Sequence, residues 1–127
     1  MRNSAFVSPR QFAHHLPGEI VTALVRNPLQ SPKTKGKARP VILLQRDRAH
    51  WLVMGLTTLD HFADGTPRRS VPNPSACGLG AGVSYLWGLA SWVSVLDIGD
   101  HIGDADKDLL CVLTALGVEA ADLTRAH

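Results

Sequence analysis

The chain has 127 residues, of which 45% are hydrophobic and 19% are charged. This composition is typical of one compact domain with a hydrophobic core, and it excludes a disordered tail or a pair of domains. The formal net charge is +2, which is too small for the whole molecule to act as a polycation, so any attraction to phosphate must come from a local cluster of basic residues. We therefore interpret residues 1–127 as a single domain.

Cysteine usage and hydropathy predict a soluble, cytoplasmic protein. Cys77 and Cys111 are the only cysteines, too few for a disulfide framework or a cysteine zinc site. The opening segment MRNSAFVSPRQFAHH contains no apolar stretch of signal-peptide length. Nowhere in the chain do about 18 apolar residues follow one another without interruption, so no membrane-spanning segment is predicted.

The first predicted elements are a short N-terminal helix and a strand. Ser8 supplies an N-cap, Pro9 suits the first helical turn, and Pro17-Gly18 ends the helix. The next segment, Glu19–Val25, is rich in β-branched residues and predicts the first strand.

The second and third strands follow a polar loop, residues 27–38. The segment Pro40 to Leu44 is apolar at every position, whereas a strand with one face in water would alternate. We therefore expect it at the centre of the sheet or at a subunit contact. After a polar turn, residues 50–56 predict a third strand that ends at Thr57-Thr58, completing a three-stranded meander.

The second half of the chain predicts further short strands and one helix. A strand candidate at residues 68–71 is followed by strands at 84–87 and 91–96, and Asp97–Gly103 is interpreted as a turn with capping contacts. Residues 104–116 predict an amphipathic helix packed on the sheet and closed by Gly117. About five or six short strands so spaced predict a mainly β fold, a small barrel or strongly bent sheet whose core spans residues 17–98.

The loop KTKGKARP carries a cation at every second position, namely Lys33, Lys35, Lys37 and Arg39. In an extended conformation these side chains project to one side and form a stripe that can follow a phosphate backbone, although the lysines could equally be solvated and without a role. Arg39 is the strongest functional candidate, because the following proline favours an extended backbone and a buried strand anchors the guanidinium.

Other parts of the chain give weaker signals for chemistry. Thr57 and Thr58 can offer hydroxyl and backbone N–H groups to an anion, although threonines at strand ends usually cap a turn. The six histidines show no metal-binding spacing, and the chain has no P-loop, dinucleotide-binding fingerprint or G-x-S-x-G motif. The sequence therefore predicts neither a metal nor a cofactor, and the glycine-rich residues 78–82 are interpreted as a flexible turn.

Several of these features, taken in order, resemble the MazF/PemK/Kid toxins of type II toxin–antitoxin systems. They are Gly18-Glu19-Ile20-Val21, the polar loop, Arg39-Pro40 with its aliphatic run, the strand ending in Thr57-Thr58, a late hydrophobic strand and a terminal helix. The resemblance covers residues 17 to 116. It implies an SH3-like barrel with helices, usually a homodimer, that acts as a metal-independent endoribonuclease on single-stranded RNA and is neutralised by an antitoxin protein.

The resemblance also implies roles for particular residues. Arg39, Thr57 and Thr58 would belong to the active site, where a ribose 2′-OH attacks the adjacent phosphate. The basic loop would face the RNA, with Arg26, Lys33, Lys35 and Lys37 as contacts to its backbone.

The late strand departs from the family pattern. Where many relatives carry Asp-Gln-Val-Arg, the alignment places residues 91–94, Ser-Trp-Val-Ser, so that an acid and a cation are missing. Asp60 and His61, just past the threonines, are candidates for proton transfer, although a lone loop histidine is more often a bystander.

This departure leaves two alternatives open. The first is a non-catalytic toxin or binding module on the same scaffold, which would poison a protein target such as gyrase or bind RNA without cutting it. The second is an SH3-like module that recognises peptides through an aromatic groove. That groove could be lined only by Trp51, Tyr85, Trp87 and Trp92.

Overall fold

The structure, a computed structural model, describes residues 15–25, 37–80 and 82–117. In this part of the chain five antiparallel strands form one sheet, and a helix follows the last strand. The elements are β1 (Glu19–Val25), β2 (Lys37–Asp47), β3 (His50–Thr57), β4 (Tyr85–Ser94), β5 (Ile98–Asp104) and α1 (Lys107–Ala115). The mainly β fold and the predicted meander of the first three strands are confirmed.

Some predictions lie outside the described residues. These are the N-terminal helix and the RNA contacts at Arg26, Lys33 and Lys35. Lys37 begins β2, but its side chain is also outside the described part. None of the helices in the described ranges is long and apolar enough to cross a membrane.

Strand β2 lies in the middle of the sheet, whose order is β4-β3-β2-β1-β5. Its successive side chains enter the hydrophobic clusters on opposite faces, with Val41 and Leu43 on one face and Ile42 and Leu44 on the other. All four are fully buried. Burial of such a side chain stabilises the fold by about 1.5–3 kcal/mol. Apolar surroundings on both faces thus explain the uninterrupted apolar run, and the predicted central position is confirmed.

Helix α1 covers one face of the sheet, as predicted. Leu109 and Leu113, one turn apart, are fully buried in the cluster that contains Ile42. The Asp106 carboxylate caps the helix by accepting a hydrogen bond from the Leu109 N–H at 2.9 Å. Gly117, with φ of +81°, follows its end. The helix therefore begins at Lys107, after its cap, rather than at residue 104.

Two predictions for the second half of the chain are wrong. Residues 84–87 and 91–96 do not form separate strands, because β4 runs without a break through Gly88, whose φ is +95°. The segment Asp97–Gly103 is not a turn, since Ile98–Asp104 forms β5 and pairs with β1. The sheet therefore extends past the predicted limit at residue 98. Its first and fourth strands also touch, which shows how strongly the sheet bends.

A long excursion, residues 58–84, connects β3 to β4. Its segment 69–71 runs beside the start of β4, where the Leu86 N–H donates to the Arg69 carbonyl and the Val71 N–H donates to the Ser84 carbonyl, both at 2.8 Å. A β-bridge joins Ser70 and Tyr85. The extended segment predicted at residues 68–71 is thus present as a short additional pairing with the start of β4.

Candidate functional site

The alternation of side chains along β2 and β3 places Arg39 and Thr57 on one face of the sheet. Val41, two residues after Arg39, and Val53, four residues before Thr57, both belong to the cluster that contains Trp87. The two strands are antiparallel with Val41 opposite Gly55. When this register is continued by two residues, Arg39 comes to lie opposite Thr57.

A recess of about 340 Å³, here called the Arg39 recess, opens at this end of the two strands. Its lining consists of Arg39, Pro40, Leu56, Thr57, Thr58, Leu79, Gly82, Val83 and Ser84. Arg39 is the one charged residue in this lining. The structure therefore brings the three residues predicted to be catalytic into a single cavity with a positive charge.

The Arg39 guanidinium is held by an aromatic ring. Its central carbon lies 5.3 Å from the centroid of Trp87, a ring that is itself 7% exposed. Trp87 lies across the backbone of β3 at Gly55, where an added Cβ would come within 3.0 Å of the ring carbon Cε3. Within the described ranges no carboxylate pairs with Arg39, so its N–H donors are left for an anion.

The Thr57 hydroxyl makes the contact that strand-end threonines usually make. Its oxygen accepts a hydrogen bond from the Leu59 N–H at 3.2 Å, which caps the turn after β3. The hydroxyl hydrogen remains available as a donor. Thr58 is exposed at the mouth of the same recess. That either hydroxyl binds an anion stays a prediction.

Asp60 and His61 form a pair on the excursion. The His61 Nδ1 lies 2.5 Å from the Asp60 Oδ1, and the two side chains are 56% and 59% exposed. In the tautomer that carries its proton on Nδ1, His61 donates a hydrogen bond to the Asp60 carboxylate, and the lone pair of Nε2 is free to act as a base. Neither residue lines the Arg39 recess, so their role in proton transfer stays a prediction.

Ser91 and Ser94, which the alignment placed at the acid and the cation of the MazF-type pattern, do not line the recess. Ser94 pairs with His50 and Thr57 pairs with Tyr85, at opposite ends of β3, roughly 23 Å apart at about 3.3 Å per residue. Ser91 and Ser94 line a different cavity, of about 330 Å³, together with His50. At the Arg39 recess, the chain entering β4 contributes Ser84 instead.

Sequence reasoning missed one wall of the recess and the ring beneath Arg39. Trp87 was considered only for an aromatic groove, and the glycine-rich residues 78–82 were interpreted as a flexible turn. In the structure Trp87 lies beneath Arg39, and Leu79 and Gly82 line the recess. A partial signal was that guanidinium groups stack favourably on aromatic faces, which makes a tryptophan a suitable neighbour for Arg39.

The described residues also bear on metals and on peptide binding. No group of three or more His, Cys, Asp or Glu side chains in these ranges could hold a metal ion. Of the tryptophans proposed for an aromatic groove, Trp51 and Trp87 are buried, at 1% and 7% exposure, and Trp92 alone is half exposed. The aromatic groove that a peptide-binding module requires is therefore not formed by these side chains.

Comparison with solved structures bears on the fold. No family model and no curated protein matches the sequence. The structure is similar to that of the Mycobacterium tuberculosis toxin MazF-mt6, with a TM-score of 0.56 and 23% sequence identity over 83% of this chain and 97% of that chain. The resemblance to MazF-type toxins is thus confirmed at the level of the fold.

Proposed function

We propose that this chain is a toxin of the MazF/PemK type, which cleaves single-stranded RNA without a metal and is neutralised by an antitoxin protein. The observation that carries the proposal is the Arg39 recess, which combines one guanidinium and two threonines on a MazF-like fold. We further propose that it acts as a homodimer in the cytoplasm, as the resemblance implies.

Arg39 supplies the main electrostatic contribution to catalysis. Attack of the ribose 2′-OH on the adjacent phosphate produces a phosphorane with additional negative charge on its equatorial oxygens. A planar guanidinium fixed over Trp87 can donate two parallel hydrogen bonds to these oxygens without losing much conformational freedom. The donors are arranged before the charge develops, so the arrangement favours the transition state over the substrate.

The remaining roles fall to side chains around Arg39. The hydroxyls of Thr57 and Thr58 donate to the same phosphate and orient it, while the buried apolar side chain of Leu56 limits water on one side and strengthens these bonds. The Asp60–His61 pair removes the proton of the 2′-OH or protonates the departing 5′-oxygen. DNA is not cleaved because it lacks the nucleophile. Arg26, Lys33, Lys35 and Lys37 contact the RNA backbone.

The test is incubation of the purified protein with a long single-stranded RNA in the presence of EDTA. We expect fragments that end in 2′,3′-cyclic phosphate and 5′-hydroxyl groups, and no cleavage of the same oligonucleotide with 2′-deoxy substitution at the cut site. Intact RNA under these conditions contradicts the proposal. It would favour a non-catalytic toxin on this scaffold, for which capture of a protein target is the next measurement.

A further inference from the structure

The Arg68 guanidinium connects the excursion between β3 and β4 to the strand that carries Trp87. Its Nη1 donates to the carbonyls of Leu59 and His61, at 3.3 and 2.5 Å, and its Nε donates to the carbonyl of Trp87 at 3.2 Å. The backbone N–H of Arg68 also donates to the Asp60 carbonyl at 2.8 Å. One side chain thus joins both ends of the turn that carries Asp60 and His61 to β4.

Aromatic packing holds the same guanidinium from a second direction. Its central carbon lies 4.6 Å from the centroid of Phe62. Phe62 in turn packs on the backbone of β4 at Gly88, where an added Cβ would come within 2.5 Å of the ring carbon Cζ. No carboxylate in the described part of the chain pairs with Arg68, so main-chain carbonyls and a ring alone define its position.

Trp87 is the residue that the two arginines share. Its ring lies beneath Arg39, and its carbonyl accepts from Arg68. The main chain of His61 is therefore separated from the main chain of Trp87 by the width of one guanidinium. A shift of the main chain at His61 relative to the main chain at Trp87 would break one of these hydrogen bonds.

We propose that Arg68 is a positioning residue, which holds the Asp60–His61 pair at a fixed distance from Arg39 so that both act on the same nucleotide. The proposal rests on the proposed nuclease function. In this scheme Arg68 acts through the main chain, since its Nε and Nη1 donate to protein carbonyls. A loss of alignment of about 1 Å at a reacting group can lower the rate on the order of 10²-fold, which is the effect that such a residue prevents.

The chemistry of the contact explains why arginine is required. The planar guanidinium has N–H donors that point in different directions, so it reaches three carbonyl oxygens on two segments of the chain. A lysine ammonium keeps the positive charge but is a point donor on a flexible stem, so it cannot span the same oxygens. Arg68→Lys is therefore expected to resemble Arg68→Gln in activity although the net charge is unchanged.

The experiment is a double-variant cycle on RNA cleavage with Arg68→Gln, His61→Ala and the combined variant. We expect Arg68→Gln to lower kcat by about 10-fold or more with little change in KM, and to add no further loss in the His61→Ala background. The limb of the wild-type pH–rate profile that disappears in His61→Ala should also weaken in Arg68→Gln. Arg69→Gln is the matched control, since it removes the same charge at the next residue, whose side chain is exposed, and it should cleave like the wild type.

Three outcomes overturn the inference in distinguishable ways. Additive losses in the double variant show that Arg68 does not act through His61. If the loss of cleavage parallels a loss of thermal stability, and Arg68→Lys restores both cleavage and stability, then Arg68 has a purely structural role. Cleavage that depends on Arg39 but survives both His61→Ala and Arg68→Gln removes this inference and leaves the nuclease proposal standing, whereas a wild-type protein that leaves RNA intact removes both.

Discussion

The two ends of the β2–β3 pair each place an arginine over a tryptophan, and the two arrangements differ in what surrounds them. At the turn end, the Arg46 guanidinium lies 5.9 Å from the centroid of Trp51, its direct cross-strand neighbour, and its Nε donates to the Arg48 carbonyl. At the open end, Arg39 lies 5.3 Å from the centroid of Trp87 and borders the Arg39 recess.

The comparison teaches that stacking on an aromatic ring does not by itself identify a functional arginine. Both guanidinium groups gain a similar cation–π contact. Arg46 donates to a carbonyl in the turn between β2 and β3, so its contact stabilises the fold. Within the described ranges Arg39 finds no acceptor, and a cavity lined by two threonines lies beside it. Unused donors beside an accessible cavity are what distinguish a binding group from a structural one.

Replacement of each arginine by alanine tests this difference directly, and we expect it to give the largest effect. Arg39→Ala should lower kcat/KM for RNA by about 10²-fold or more, because the charge on the phosphorane loses its main counter-charge. Arg46→Ala should cleave RNA at nearly the wild-type rate and lose about 0.5–1 kcal/mol of unfolding free energy. The measurements are cleavage kinetics and urea unfolding of both variants. Equal loss of cleavage in the two variants would remove the distinction between the ends.

Gly55→Ala sharpens the comparison, because it displaces the Trp87 ring without changing Arg39 itself. The added methyl group would come within 3.0 Å of Cε3 of Trp87, so the ring must shift and carry the Arg39 guanidinium with it. We expect cleavage to fall about 10-fold through misalignment.

The control for this variant is its combination with Arg39→Ala. If the methyl group acts through the guanidinium, adding Gly55→Ala to Arg39→Ala should lower cleavage no further. A second, independent loss in the combined variant would show that Gly55 serves the recess in another way.

How much of the fold could be predicted depends on where each strand gets its stabilisation. β2 and α1 were predictable because their own apolar patterns match the faces they bury. β5 was not, since Gly99, Asp100 and Gly103 are depleted in strands and its pairing is imposed by the free edge of β1. Gly103 is required there for another reason, because an added Cβ would come within 2.1 Å of the Cys77 carbonyl oxygen.

The candidate site divides in the same way. Arg39 and Thr57 could be placed on neighbouring strands from the sequence, because a short hairpin joins β2 to β3. Their common face could not be predicted, since the register shifts between Leu43 and Gln45 and simple alternation from the turn would place Thr58 opposite Arg39. The position of Trp87 beneath Arg39 could not be predicted. Its strand, β4, rejoins the sheet after a long connection whose path no local sequence pattern determines. The cavity that Ser91 and Ser94 line could not be predicted either, because the register of β4 against β3 shifts between Met54 and Leu56.

Replacement of Asp106, which caps helix α1, should have the smallest effect on cleavage. The helix packs in the hydrophobic cluster that contains neither Trp51 nor Trp87. Hydrogen bonds from the Leu109 N–H and then from the Asn73 side chain lower the pKa of Asp106 below its ordinary value of 3.8. Because the folded pKa lies below the unfolded one, the stabilisation is present above about pH 4 and is lost as the pH falls through the folded pKa. Asp106→Ala should therefore cost about 1 kcal/mol of unfolding free energy at pH 7 and less at pH 3.

Asp106→Asn is the matched variant, because asparagine keeps the cap but has no charge to lose, so its unfolding free energy relative to the alanine variant should vary little between pH 7 and pH 3. Urea unfolding at the two pH values measures both effects. Asp106→Ala should also cleave RNA at the wild-type rate at pH 7, like Arg46→Ala with a similar loss of stability. If a loss of this size at the helix cap lowered cleavage as Arg39→Ala does, then overall stability would limit activity, and the contrast between Arg39 and Arg46 would have to be explained by stability instead of by donors facing a cavity.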